Sequence, residues 1–458
     1  MFLRSSALAF VAAIVLTPVL SPVMAQRAPA RPPNVLLIIT DDVGYGDIGS
    51  YGAPDVKTPN IDRLAREGVR FTDFYANGPT CSPTRAGLMT GRYQQRVSIE
   101  APLGAGGKAD AERGLTPTGA SLPQLLKNNG YATALVGKWH LGWQPQFSPE
   151  AHGFDYFFGF KSGFVDFYQH TAGGDSPIVD DLFEHGKPIK EDGYLTDLIT
   201  DRSIRFIESH AARPFFLDVS YNAAHWPYQP PGKPSTARDR GRHLSPFDED
   251  TSTRADYVAM LEHADKGVGR ILETLNRLGL RDNTLVIFTN DNGGEWLSRN
   301  APLFHYKGSV WEGGIRVPAI ARWPARIKAG RSSAQVGATM DLTATILAAT
   351  GTAVPAGVRL DGVDLLPVIE GRAPEFDRTL FWRVGNGRQM AVRSGQWKLL
   401  FDSGRPMLFD LQADIGERNN LVGSRTDVAK RLRPLLEKWE TEVDAERKNV
   451  AGVPTPAR

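Results

Sequence analysis

A chain of 458 residues with one cysteine, Cys81, cannot be held together by an internal disulfide. An exported protein seldom keeps an unpaired thiol unless its reactivity is used, so Cys81 is a candidate nucleophile or modification site. Net charge is also missing. With 53 basic and 51 acidic residues the formal charge is +2, which gives no long-range field suited to a nucleic-acid backbone or an acidic membrane, and any anion must be recognised locally. Heptads, internal repeats and long low-complexity tracts do not occur. The apolar run Ala7 to Leu20 is too short for a bilayer span and is broken by Pro18. Arg4 precedes it and Val23-Met24-Ala25 offers a small-residue cleavage site before Gln26, the pattern of a secretory signal peptide over residues 1–25. A proline-rich leader over residues 26–33 follows. The mature chain is expected in the periplasm or outside the cell, without stable membrane insertion.

Length and a hydrophobic content of 41% suffice for a sizeable core, in one large and one small domain or in two or three ordinary ones. Asn34–Thr40 is a continuously apolar, β-branched run that ends in Asp41-Asp42, as expected of a strand buried on both faces of a parallel sheet. Similar runs recur at 132–136, 215–220 and 285–289. Helical segments separate them at 60–67, 122–128, 195–209 and 257–278, and an apolar helix follows at 342–349. This alternation predicts an α/β fold with a mostly parallel sheet flanked by helices over residues 34–374. Short runs at 379–383, 389–393, 397–401 and 407–410, with turns between them, and a helix from about Asp427 to Glu446 predict a smaller antiparallel sheet plus helix over residues 375–458.

Polar clusters follow four of the strand ends: Asp41-Asp42, Lys138-Trp139-His140, Asn222 to His225, and Asn290-Asp291-Asn292. Ligands of open α/β sheets bind beyond the carboxyl ends of strands, so four segments deliver their chemistry to one rim. Asp41, Asp42, Asp291 and Asn292 form an all-oxygen set suited to a hard cation such as calcium or magnesium, and converging carboxylates without a cation would raise one another's pKa. Taken singly, Lys138 and Lys307 read as surface lysines, His140 as a polar loop residue and His225 as a hydrogen-bonded core histidine. Trp143, Trp226, Trp296 and Trp311 stand in the site loops as exposed-looking aromatics with the shape to stack on sugar rings.

The run Cys81-Ser82-Pro83-Thr84-Arg85, followed by two small residues, two apolar residues and Thr90-Gly91, resembles the signature of the type I sulfatases. The run Gly130 to Gly142 resembles that family's second signature. The resemblance extends from about Asn34 to Leu411. It implies that a maturation enzyme oxidises Cys81 to formylglycine, whose hydrated diol attacks sulfur and passes through a sulfoenzyme intermediate. It further implies that Asp41, Asp42, Asp291, Asn292 and the matured residue 81 hold the metal, that Arg85, Lys138 and His140 face sulfate and nucleophile, and that His225 with Lys307 assists the leaving alcohol. A polar residue that the family places after Gly153-Phe154-Asp155 has its nearest candidate in Ser162, at a different spacing. The expected activity is hydrolysis of sulfate esters, foremost of carbohydrates and also of aryl alcohols. A phosphonate monoester or phosphodiester hydrolase of the same superfamily is the second reading, and a non-catalytic binder of sulfated glycans a remote third.

Overall fold

The computed structural model describes residues 31–104, 112–172, 178–234 and 252–447. The expected signal peptide and the leader through residue 30 lie outside the described residues.

Asn34–Thr40 is a strand with every residue buried, and its lack of polar alternation follows from having both faces covered. Val35, Leu37 and Ile39 enter one apolar core, while Leu36 and Ile38 enter the other. The strand pairs in parallel with Phe215–Ser220 on one side and with Thr284–Asn290 on the other. Ala132–Lys138 and Tyr156–Phe160 continue the parallel order beyond Phe215–Ser220. Antiparallel pieces close both sides: Ala319–Arg322 and Val69–Phe71 beyond Thr284–Asn290, Phe183–Glu184 and Lys187–Pro188 beyond Tyr156–Phe160. The result is a large mixed sheet with a parallel centre. Helices Leu195–Ser209 and Arg254–Arg277 contribute to one core, and helices Leu122–Asn128 and Thr339–Thr350 to the other.

The strands expected from the sequence form within two residues of their expected ends. Tyr156–Phe160 and Ala319–Arg322 were not foreseen, since Gly159 interrupts the first and the second is a four-residue piece that follows Pro318. Register decides what the sheet delivers. Thr40 is paired with Asn290, Ile39 with Ser220, and Ser220 with Gly137, so four strands end side by side and their following residues share one rim.

A separate antiparallel sheet of Thr379–Val384, Gln389–Ser394, Trp397–Asp402 and Arg405–Asp410 follows. Helix Thr426–Arg447 lays Val428, Leu432, Leu436, Trp439 and Val443 on it, a stripe at helical spacing. These side chains share one apolar cluster with Tyr75, Tyr93, Val310, Trp311 and Ile315 of the main body. Beside it lies a buried ionic network. Lys398 Nζ is 2.8 Å from Glu312 Oε1 and 2.9 Å from Glu417 Oε1, Arg316 reaches Glu312 at 3.1 Å, and the Tyr75 hydroxyl donates to Glu312 Oε2 at 2.7 Å. Glu312 is held low, to about 2, because Lys398, Arg316 and Arg393 outweigh the effect of burial.

Lys398→Met should therefore cost about 3–5 kcal/mol of stability, because it takes the cation from buried Glu417 and leaves Glu312 to Arg316 and Tyr75. Equilibrium denaturation of the variant checks this, and a midpoint equal to that of the native chain would show that the network carries no net stability.

Candidate active site

Cys81 opens the helix Cys81–Thr90. Thr80 precedes it in extended conformation, Pro83 lies in the first turn, where a missing N–H costs nothing, and Gly91 ends it at a φ of 64°. Residues 81–89 are all buried, so the helix carries no amphipathic stripe and its polar residues face other protein groups. Thr84 Oγ1 bridges the N–H and carbonyl of Gly78, which holds the approach to Cys81.

The rim gathers the expected residues around this thiol. Cys81 Sγ is 3.7 Å from Asp41 Oδ1. Lys138 Nζ donates to Asp41 Oδ2 at 2.6 Å, and Lys307 Nζ to Asp42 Oδ2 at 2.6 Å. Arg85 binds Asp291 Oδ2 through Nε at 3.1 Å and Nη2 at 3.0 Å, and reaches the Lys138 carbonyl and Ser220 Oγ through Nη1. Asn292 Nδ2 donates to Asp42 Oδ1 at 2.7 Å. Close backbone approach makes this possible: a Cβ on Gly293 would lie 1.8 Å from the Gly313 carbonyl oxygen, so the Asp291 and Lys307 segments meet only because that position is glycine. Asp42 and His140 are held at φ of 57° and 55°, a left-handed conformation that non-glycine residues adopt at a cost and that concentrates at functional sites.

The two histidines differ in what they offer. His140 Nε2 is 2.8 Å from the Leu103 carbonyl and so carries the hydrogen, while its buried Nδ1 has no partner among the described residues. Burial and the Lys138 charge push His140 well below the usual imidazole range, which leaves Nδ1 a free base. His225 donates from Nδ1 to the Trp226 carbonyl, and its Nε2 is 3.2 Å from Lys307 Nζ and 3.3 Å from Asp42 Oδ2. Burial and Lys307 push His225 down to about 3. In this state Nε2 accepts from Lys307, so the protons on the leaving side of the pocket reside on the lysine.

Charge in the pocket is finely divided. Burial, then Asp291 and Asp42, raise Asp41 well above the usual carboxylate range despite Lys138. Burial also acts on Asp42, but Lys307, His225 and Lys138 prevail and hold it low. Burial raises the Cys81 thiol far out of the thiolate range, so an unmodified Cys81 is a poor nucleophile. Asp41, Asp42, Cys81 and His225 each present a ligand atom within 4.8 Å of one another. Asp291 stands outside that group with Oδ2 taken by Arg85, yet its Oδ1 and Asn292 Oδ1 are buried and have no hydrogen-bond partner among the described residues. Orphaned buried oxygens beside two carboxylates fit a hard cation better than a nitrogen-rich zinc set.

Two points depart from the sequence reading. Trp226 and Trp311 are buried and Trp143 is half-buried against Phe183, so of the four tryptophans only Trp296 is exposed; packing within the loops claims the others. Glu295 was missed. Its Oε2 is 3.6 Å from Lys307 Nζ, and burial with the Asp42 charge raises it to about 7. The only sequence signal was its place just after Asp291-Asn292-Gly293-Gly294. Ser162 Oγ donates to the Phe164 carbonyl at 2.7 Å.

Known proteins match this chain over most of its length. A family model described as Sulfatase matches residues 33–352, and one described as N-sulphoglucosamine sulphohydrolase, C-terminal, matches residues 303–442. The chain is 38% identical over 391 residues to N-acetylgalactosamine-6-sulfatase of Canis lupus familiaris, covering 81% of this chain and 72% of that protein. It is 34% identical over 469 residues to arylsulfatase A of Bos taurus, covering 88% and 86%. The solved structure of Ps i-CgsB in complex with k-i-k-neocarrahexaose superposes with a TM-score of 0.79 at 31% identity, covering 89% of this chain and 93% of that one.

Calcium should raise the thermal unfolding midpoint, since a cation held only by the folded state adds about 2.7 kcal/mol at one hundred times its Kd. Asp41→Asn and Asp291→Asn should each blunt the shift. An unchanged midpoint of the native chain in millimolar calcium and magnesium would remove the cation from this pocket.

Proposed function

The chain belongs to the sulfatase family, whose members are sulfuric ester hydrolases, and on that premise we propose that it hydrolyses sulfate esters of carbohydrates, and aryl sulfates as well, through formylglycine at position 81. The observation that carries this reading is the convergence of Lys138, Lys307 and Arg85 on one buried pocket at Cys81, whose own thiol is the wrong chemical form for attack. Named relatives act in the same sense: one on N-acetylgalactosamine 6-sulfate groups by its name, another on aryl sulfates. A phosphonate monoester or phosphodiester hydrolase would use a similar pocket, but both matching family models and the relatives named above are sulfatases.

A maturation enzyme, using an external oxidant, converts Cys81 to the aldehyde with loss of its sulfur, and the hydrated residue then supplies two hydroxyls, one to take the sulfuryl group as the S–O bond to the alcohol breaks and one to expel sulfate as the aldehyde re-forms. Calcium, or magnesium in its place, would be held by Asp41, Asp42, Asp291 and Asn292 with residue 81, and supplies Lewis acidity to that residue when bound. Arg85 fixes the ligand Asp291 and the Lys138 backbone together, so both keep their places when substrate enters. Lys138 and Lys307 flank Cys81 with positive charge that matches the sulfuryl oxygens. His140 Nδ1, neutral and without a partner among the described residues, takes the proton of the second hydroxyl. Lys307 and His225, in contact at 3.2 Å, pass a proton to the departing alkoxide. The expected signal peptide places this work in the periplasm or outside the cell; among the described residues no helix is long and apolar enough to cross a membrane.

Activity should track the formylglycine content of a preparation. Cys81→Ala should be inactive, and Cys81→Ser inactive or trapped as a sulfated enzyme, because serine lacks the second hydroxyl. Peptide mass analysis that found only unmodified thiol in a fully active preparation would refute this chemistry.

His225→Ala separates the leaving-group role from the rest. A sugar alkoxide needs a proton to depart and a nitrophenolate does not, so the variant should lose about 100- to 10,000-fold on sugar sulfates and far less on nitrophenyl sulfate. Equal losses on both, with chemistry limiting both, would show that Lys307 delivers the proton without His225.

A further inference from the structure

One buried carboxyl takes no part in the chemistry above. Asp218 lies within Phe215–Ser220, a strand buried along its whole length between two parallel neighbours. Phe215, Leu217 and Val219 enter one apolar core, and strand alternation turns Phe216, Asp218 and Ser220 to the other. Asp218 is paired with Leu37 on one side and Leu135 on the other, both members of that second core, and is only 1% exposed. A leucine there would extend the core, whereas a carboxyl must give up its water and find a partner. The partner stands two residues along on the same face: the Ser220 hydroxyl donates to Asp218 Oδ1 at 2.8 Å. Ser220, equally buried, accepts from Arg85 Nη1 at 3.2 Å. The same Nη1 donates to the Lys138 carbonyl at 3.0 Å, while Nε and Nη2 hold Asp291 Oδ2.

We propose that Asp218 and Ser220 are positioning residues for Arg85, and through it for Asp291 and the Lys138 backbone, in the reaction that the sulfatase reading above assigns to this pocket. A serine hydroxyl is donor and acceptor at once and rotates to suit its neighbours. With its hydrogen committed to Asp218, the Ser220 oxygen is left to accept, and the group that reaches it is the guanidinium. Asp218 thereby decides which way the hydroxyl faces, and Ser220 fixes the one guanidinium nitrogen that Asp291 does not hold. This bond needs only an acceptor oxygen, which a carboxyl keeps whether or not its other oxygen carries a proton, so the arrangement does not depend on the charge of Asp218. Arg85 belongs to the helix that opens with Cys81, and Asp218 with Ser220 to a central strand of the sheet. The contact therefore ties the helix of the nucleophile to the rigid centre of the fold, the kind of support from behind that keeps a reacting group in place.

The test uses the full matured chain with calcium, 4-nitrophenyl sulfate and a monosulfated methyl hexoside. Ser220→Ala removes the acceptor from Arg85, and Asp218→Leu frees the serine hydroxyl to turn away. Each should lower kcat by about 10- to 100-fold, as a small displacement of catalytic groups does. Because Arg85 serves the nucleophile side, both substrates should lose alike, with KM moved by less than about twofold. Asp218→Asn keeps an acceptor oxygen at the same place and should stay within about threefold of the native kcat. Since the two residues act through one hydroxyl, Asp218→Leu combined with Ser220→Ala should lose no more than the slower single variant. Exchanging both partners of a buried hydrogen bond for apolar groups is close to neutral for folding, so this double variant should unfold at or above the native midpoint while its kcat stays low, which a pair that merely packed the core would not produce. Native kcat in Ser220→Ala or in the double variant would overturn the positioning role and leave the sulfatase reading standing. Losses that multiply in the double variant, or an Asp218→Asn as slow as Asp218→Leu, would do the same. If the double variant does not fold, Ser220→Ala and Asp218→Asn decide the matter by the same outcomes. Release of sulfate from neither substrate by the native chain would overturn both readings.

Discussion

Carboxylates delivered to one rim by neighbouring strands are the constraint from which the pocket follows. Asp41 and Asp42 end one strand, Asp291 ends the next, and the register that pairs Thr40 with Asn290 leaves them no distance to retreat. Like charges so placed in a buried site raise one another's pKa unless cations answer them. Arg85, Lys138 and Lys307 do so from a helix, a strand end and a loop. The oxygens of Asp291 and Asn292 that have no hydrogen-bond partner mark the part of the demand that no cation among the described residues meets. An anionic ester enters a place where positive charge is already organised, which is how an almost neutral protein recognises an anion without a long-range field.

The small C-terminal sheet takes part in this arrangement. Lys307 and Glu312 lie in one segment, and Glu312 is held by Lys398 and Glu417 from beyond the main sheet and by Tyr75 from within it. On its other side the same segment meets the Cys81 approach through Gly308 N–H to the Pro79 carbonyl at 2.8 Å. The lysine is therefore clamped between the approach to Cys81 and the C-terminal sheet. Buried ion pairs of this kind add little net stability, but breaking one is costly, and that asymmetry fixes position.

Asp42 and His140 carry left-handed backbone where ordinary residues avoid it. Such strain persists only where surrounding contacts over-determine it. Both residues stand two positions beyond a fully packed strand, and both side chains are committed, Asp42 to Lys307 and Asn292, His140 to the Leu103 carbonyl.

The sequence by itself determined the elements and the chemical inventory. Asn34–Thr40 was legible because a strand buried on both faces must be apolar throughout, and the C-terminal helix because its apolar stripe repeats at helical spacing. Cys81, Arg85, Asp41-Asp42, Asp291-Asn292, Lys138, His140, His225 and Lys307 were legible because reactive and charged residues stand in distinctive runs. Tertiary structure alone decided which of them touch. Lys307 meets Asp42 across 265 residues and Lys138 meets Asp41 across 97, separations over which only sheet register and loop packing bring atoms together. Glu295 went unnoticed because nothing local reveals the lysine beside it, and Trp226 and Trp311 read as exposed because burial of a loop aromatic depends on what folds over it. Local pattern reports the environment a residue needs; the neighbours that supply it come from distant parts of the chain.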